Sequence, residues 1–361
     1  MLGRNNKRSG IATLISILAV SLSQVSYGQQ VFTAPLPETQ SQPAQPSNAR
    51  GIPVEGWAIV RYSVLKNGTT SNVRVVSIAP PAADPTSTIE AVQQWVFTPA
   101  MNDGETVDSY NNESVVIFAP LDSESGAENE FAESYAEIRN LIENPPVGET
   151  EGDARNEMIV QALQEALAAN QLMLAEQAIQ MEEIGLALGQ ATIVRLGLLD
   201  FQGAHEFVSL ATDPRVGVLT GEDLLILLQI RLQIESQLGR TQDAIETFDR
   251  ITAGLGADEP NPFASVGGDL QTNWNTAEYL QVLGAVDDQP WRINAGRRMF
   301  TFGDVEGSIR SIDAECDMRT ISIDFQADVD WALPESWGDC VLFVNASPGT
   351  TFSYFELLPA E

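Results

Sequence analysis

Histidine is nearly missing from this chain: 361 residues hold one, His205. That excludes metal sites and catalytic triads that need two imidazoles. Basic residues are scarce as well, with 19 Lys plus Arg against 50 Asp plus Glu and a net charge of −31. A general nucleic-acid binder needs a basic face to displace counterions, so that class is excluded. The same deficit argues against an electrostatic grip on anionic lipid. No Gly-x-Ser-x-Gly elbow occurs, and neither of the two cysteines has a plausible histidine partner. Without a histidine pair or closely spaced cysteines, zinc is disfavoured and no metal is expected. Gly254-Leu255-Gly256 lacks the strand and helix of a nucleotide loop, and Arg297-Arg298 is too small a basic patch for nucleic acid. What is plentiful is apolar: 43% hydrophobic residues suffice for real cores, and the length is that of two or three domains.

The first segment reads as an address. Arg4, Lys7 and Arg8 precede an uncharged run from Ile11 to Leu22, and Ser26 and Gly28 suit the positions before a cleavage site. A helix over that run would reach about 18 Å, short of the roughly 30 Å hydrocarbon core. Residues 1–28 are therefore expected to be a signal peptide, with an uncleaved anchor as the alternative if the run extends through Ser23–Tyr27. In an exported chain, Cys316 and Cys340 read as a disulfide. Closing that loop would contribute roughly 3–4 kcal/mol on the loop-entropy model; two free buried thiols are the alternative. Residues 29–45, rich in Pro, Gln and Ser, read as a flexible linker within a tether extending to residue 50.

From Pro46 to Phe118 the grammar is strand, turn, strand, helix, strand. Gly56–Val64 is rich in β-formers, with Ala58, Val60, Tyr62 and Val64 on one face. Asn67-Gly68 is a hairpin signal, because both residues tolerate positive φ. Asn72–Ile78 gives the return strand. Asp84-Pro85 looks like an N-cap and first helical residue. Ile89, Val92 and Val96 continue one helical face until Pro99 stops it. Asp103-Gly104 turns the chain, and Ser114–Phe118 is a third strand.

These residues resemble the TonB C-terminal domain family. Pro46 and Ala49 match its Pro-x-x-Ala lead-in, Gly56 the glycine before its first strand, and Asn67-Gly68 its turn. Ala91, Val92, Trp95, Phe97, Pro99 and Ala100 match Ala-Val-x-x-Trp-x-Phe-x-Pro-Ala, and Asp103, Gly104 and Val107 match the Asp-Gly-x-x-Val that follows. Gln45 departs from the aromatic often found before the proline. The resemblance implies a ββαβ domain over residues 46–120. It also implies that a partner's extended segment adds to the sheet edge formed by Ser114, Val115, Val116, Ile117 and Phe118. The alternative is that this strand is core with a covered edge.

Residues 121–130 read as an acidic linker and 131–258 as almost wholly helical. Met158, Ile159, Ala162, Leu163, Ala166 and Leu167 form a helical stripe. Leu238–Phe248 resembles the turn and second helix of a tetratricopeptide repeat, with Gly239, Ala244 and Phe248 at that spacing. Without a clean period, the region reads as degenerate repeat-like helical hairpins, an unrelated bundle being the alternative. Residues 263–361 read as an antiparallel β-sandwich. Met299–Phe302, Gly307–Ile312, Cys340–Asn345 and Thr351–Leu357 are predicted strands, and Ile321–Trp331 alternates for eleven residues as one long strand. Its face would carry Asp324, Asp328 and Asp330, either a solvated surface or ligands for calcium. His205, read as lying in a helix–helix turn, is expected to be structural or on the surface.

The fold class expected is therefore multidomain α+β. The expected function is a non-enzymatic adaptor of the periplasm or cell envelope without cofactor. Its partners would be periplasmic or outer-membrane proteins, with the membrane involved only if the N-terminal segment stays uncleaved. By resemblance, a link to TonB-dependent transport follows. The alternatives are a membrane-anchored energy transducer and a glycan-acting envelope enzyme using the C-terminal β region.

Overall fold

A computed structural model describes residues 32–81, 83–118, 129–148, 151–255, 261–287, 289–327 and 329–358. The predicted leader and most of the acidic linker fall outside these residues. Among the described residues there are eight α-helices and five sheets, and every strand pairing is antiparallel.

The described residues begin with two short strands, β1 (Phe32–Thr33) and β2 (Leu36–Thr39), where a free tether was expected. The sheet proper follows: β3 (Trp57–Val64), β4 (Thr70–Ala79), helix α1 (Thr86–Val92), β5 (Val96–Thr98), β6 (Ala100–Asn102), β7 (Glu105–Val107) and β8 (Ser109–Ile117). Strand order is β4-β3-β8. Asn67-Gly68 makes the predicted hairpin turn. Gly68 stands at φ +84°, and a Cβ there would meet Phe97 O at 2.2 Å, so only glycine fits. α1 stops seven residues before Pro99. Phe97 N donates to Gly68 O (2.9 Å), and β2 pairs along β5, so extended pairing displaces the last helical turn that Val96 was read into. The arm at 32–45 docks for the same reason: β1 pairs with β6, and Trp95 Nε1 donates to Ser41 O (2.9 Å).

The alternation in β3 puts Ala58, Val60, Tyr62 and Val64 into one core with Val92, Trp95 and Phe97. The other face is not solvated. Trp57 and Ile59 enter a second core with Phe131, Ile138 and Leu163 of the helical region, so β3 is buried along its whole length.

Helices α2 (Asn129–Glu143), α3 (Gly152–Glu176), α4 (Met181–Gly197), α5 (Phe201–Ala211), α6 (Gly221–Leu238), α7 (Thr241–Gly254) and α8 (Ala264–Thr276) each pack on the next. Gly239 ends α6 at φ +75°, but its close approach is to β-structure and not to a sister helix: a Cβ would lie 1.9 Å from Gln281 O. Ala244 is buried among Leu228, Leu232 and Ile251. α8 falls within residues 263–361, expected to be wholly β; its first turns hold Gly267 and Gly268. Gly267 is there because the Phe248 ring of α7 lies against it, where a Cβ would come within 2.3 Å.

The C-terminal part holds β9 (Tyr279–Val286), β10 (Trp291–Asn294), β11 (Met299–Glu306), β12 (Ile309–Cys316), β13 (Thr320–Asp324), β14 (Trp331–Ala332), β15 (Cys340–Ala346) and β16 (Thr350–Leu357). Two four-stranded sheets, β10-β15-β12-β13 and β14-β11-β16-β9, share one core around Ile312, Phe300, Tyr354 and Trp291. The predicted long strand is two: β13 pairs with β12, while Trp331–Ala332 pairs with β11 in the other sheet. The stretch between them carries the chain from one sheet to the other, which an unbroken strand could not do. Cys316 and Cys340 face each other across β12 and β15 and form the expected disulfide.

Candidate interaction site

The residue pair Arg61–Glu113 organises the site. Arg61 interrupts the apolar run of β3, and Glu113 lies opposite it on β8. A guanidinium on a fully buried strand must be paired, because desolvating a lone charge is costly. Arg61 Nε donates to Glu113 Oε2 (3.2 Å). Glu113 also receives Arg215, from the loop after α5, at 2.8 Å and Arg292 of β10 at 2.8 Å. One carboxylate thus ties the strand edge to the helices and to the C-terminal sheets. Burial pushes the Glu113 carboxyl up, but Arg292, Arg61 and Arg215 outweigh it and hold it below its ordinary range. Glu315 of β12 receives Arg61 at 3.4 Å and also pairs with Arg74 of β4. Both guanidinia lie over the Phe343 ring, 5.2 and 4.4 Å from its centroid. A polar cleft of about 240 Å³ opens beside this junction, lined by Arg61, Ser63, Asn72, Arg74, Tyr110 and Glu315 among others. With both arginines committed to Glu315, it is a seam between units.

β8 lies at the edge of its sheet and begins at Ser109, ahead of the predicted start at Ser114. Its first half is capped by loops of the C-terminal part: Tyr110 N donates to Asp317 O (3.1 Å), and Asn111 Nδ2 donates to Asp339 O (3.2 Å). Its second half differs. Among the described residues, no second strand and no loop backbone bonds Ser114–Ile117 on the outer margin. Val115 and Val116 point into the two cores, and Ile117 is 42% exposed. Phe118 lies beyond the strand; its N–H donates to Gly56 O (2.9 Å), and its ring is buried.

The motif residues are structural. Gly56 stands at φ +147° with Ala79 O 2.0 Å from any Cβ. Asn67 Oδ1 accepts from Thr69 N (3.1 Å), and Asp103 and Gly104 take positive φ in the β6–β7 turn. Trp95 and Phe97 pack against Tyr62, and Pro99 separates β5 from β6. The lead-in grips the end of α3. Ala49 N donates to Ala175 O (2.9 Å), and Asn48 Nδ2 to Glu176 O (2.7 Å), satisfying helix-end carbonyls.

Other expectations fare differently. His205 lies inside α5 and is buried, not in a turn. Asp324 ends β13 and Asp330 lies in the crossover, so no shared strand face exists for them; Asp328 is outside the described residues. The calcium reading loses the shared face that it needed. Arg61, Glu113, Arg215, Arg292 and Glu315 were not singled out from sequence. The one available signal was a charged residue at the midpoint of each of two otherwise β-forming runs.

Among the described residues, no helix is long and apolar enough to cross a membrane. No curated protein matches the chain. The model of one family does match, over residues 41–113, starting five residues before the predicted domain and ending at Glu113. Its description is Gram-negative bacterial TonB protein C-terminal, and that is the domain this stretch of the chain carries.

Proposed function

We propose that the protein is a non-enzymatic adaptor of the Gram-negative cell envelope, working in the periplasm. It captures an extended segment of a periplasmic or outer-membrane protein as an added strand on β8. The observation that carries this is the open margin at Ser114–Ile117 beside a capped first half. Strand addition draws affinity from unpaired main-chain groups and specificity from alternate side chains. The matched family supports an envelope setting and protein partners, and a role alongside TonB-dependent transport follows from it. The leader-like residues 1–28 and the Cys316–Cys340 disulfide suit an exported chain. Helices α2–α8, each packed on the next, suit a degenerate tetratricopeptide-like scaffold, and the two C-terminal sheets a β-sandwich. Neither supplies a catalytic constellation in this reading.

The test is site-specific photocrosslinking in intact envelopes. A photoreactive residue at Ile117 should yield a discrete adduct whose crosslinked peptide is an extended segment. The same residue at Leu199, 75% exposed and in the loop after α4, serves as control. Equal labelling from both positions, or none from 117, overturns the proposal.

A further inference from the structure

The sequence places the three residues of interest far apart: His205 on α5, Glu235 on α6 and Asp243 on α7. Consecutive packing of these helices brings them together, so that one ligand-type atom from each lies within 4.8 Å of the others. His205 Nε2 is 3.5 Å from Glu235 Oε1. Two donors about 2.1 Å from a tetrahedral zinc ion stand at roughly that separation. His205 is 8% exposed and Glu235 fully buried.

Two arginines already neutralise the carboxylates. Arg231 Nε lies 2.6 Å from Glu235 Oε1, and Arg240 Nε lies 2.7 Å from Asp243 Oδ2. They do not complete the site, because Glu235 Oε2 is buried with no hydrogen-bond partner. A buried carboxylate oxygen left without a donor is costly and calls for a proton or a cation. The guanidinia take the place that outer hydrogen-bond donors hold around many metal ligands, fixing each carboxylate.

We propose that His205, Glu235 and Asp243 bind one divalent transition-metal cation, zinc by preference, with water completing the shell. The single nitrogen ligand favours zinc over calcium or magnesium, which prefer all-oxygen sets. With ligands from three successive helices, the ion would fasten the turn of the helical array that faces β9.

The experiment uses the full exported chain, its affinity tag removed, stripped with chelator and then dialysed against zinc chloride in physiological salt with excess magnesium. The expected result is one equivalent retained per chain. Asp243→Asn and His205→Gln should abolish that equivalent. A readout on the unaltered protein accompanies it: the chain has one histidine, so histidine-selective ¹⁵N labelling gives one imidazole. Zinc should shift its coordinated nitrogen strongly at one equivalent. No retained zinc, diffuse uptake unaffected by either substitution, or an imidazole signal that does not move each overturns the proposal.

Discussion

Single side chains here are governed by what surrounds them in space, and Glu356 shows this most plainly. It lies on the inner side of β16, where Gly296 N (3.0 Å), Arg297 N and Tyr354 O–H donate to Oε1. Burial dominates and pushes its carboxyl from 4.5 up to about 7. The folded chain therefore binds this proton more tightly than the unfolded chain. The associated stability is fully present below pH 4.5 and fades as pH rises through 7. Glu356→Gln, which keeps an accepting oxygen but cannot ionise, should remove roughly 2–4 kcal/mol of pH dependence from that window. Urea denaturation at several pH values, followed by the fluorescence of the C-terminal tryptophans, checks it; parallel profiles for the two proteins would refute it. Nothing in Thr351–Leu357 announced a buried carboxylate, because strand alternation says which face a residue takes and not what lies beyond that face. His205 was hidden in the same way: its solitude was visible in the sequence, its neighbours on α6 and α7 were not.

Elements were legible where local chemistry alone decides them. β3, the Asn67-Gly68 turn, β4 and the body of α6 and α7 follow from periodicity and positive-φ residues. Boundaries failed where a distant strand competed. Val96 continues the apolar helical face, yet pairing with Thr39 of β2 makes it a strand. Trp331 continues the alternation of β13, yet Phe300 of β11 claims it. α8 has two glycines in its first turns and forms because Phe248 rewards one of them. Prolines in the arm at 32–45 suggested slack chain, but extended backbone is also what an unpaired strand edge accepts. Gly68 tests the turn. Gly68→Ala forces a side chain into the left-handed region and against Phe97 O, so a loss of at least about 1–2 kcal/mol is expected. Chemical denaturation of the domain measures it, and an unchanged midpoint would contradict the turn geometry.

Across the whole molecule, the three regions meet at one carboxylate. Glu113→Gln removes the charge that Arg61, Arg215 and Arg292 share. The desolvated Arg61 then loses its nearest counter-charge. A destabilisation of about 1.5–3 kcal/mol is expected, together with faster proteolysis between the units, while the Cys316–Cys340 bridge stays intact. If limited proteolysis and hydrogen exchange across β8 match the unaltered protein, the junction does not hold the regions together. Sequence could divide the chain into regions but could not show that they share an anchor, since Glu113, Arg215 and Arg292 lie in different regions.

The grip of residues 48–55 on the last turn of α3 has a mechanical meaning. Force arriving along the N-terminal arm would be resisted first by shearing of β1 and β2. It would then meet the hydrogen bonds to Ala175, Glu176 and Ile179, so the load passes sideways into the helical array before it reaches β3. Strand β8 is thereby shielded from tension applied at the other end of its own domain.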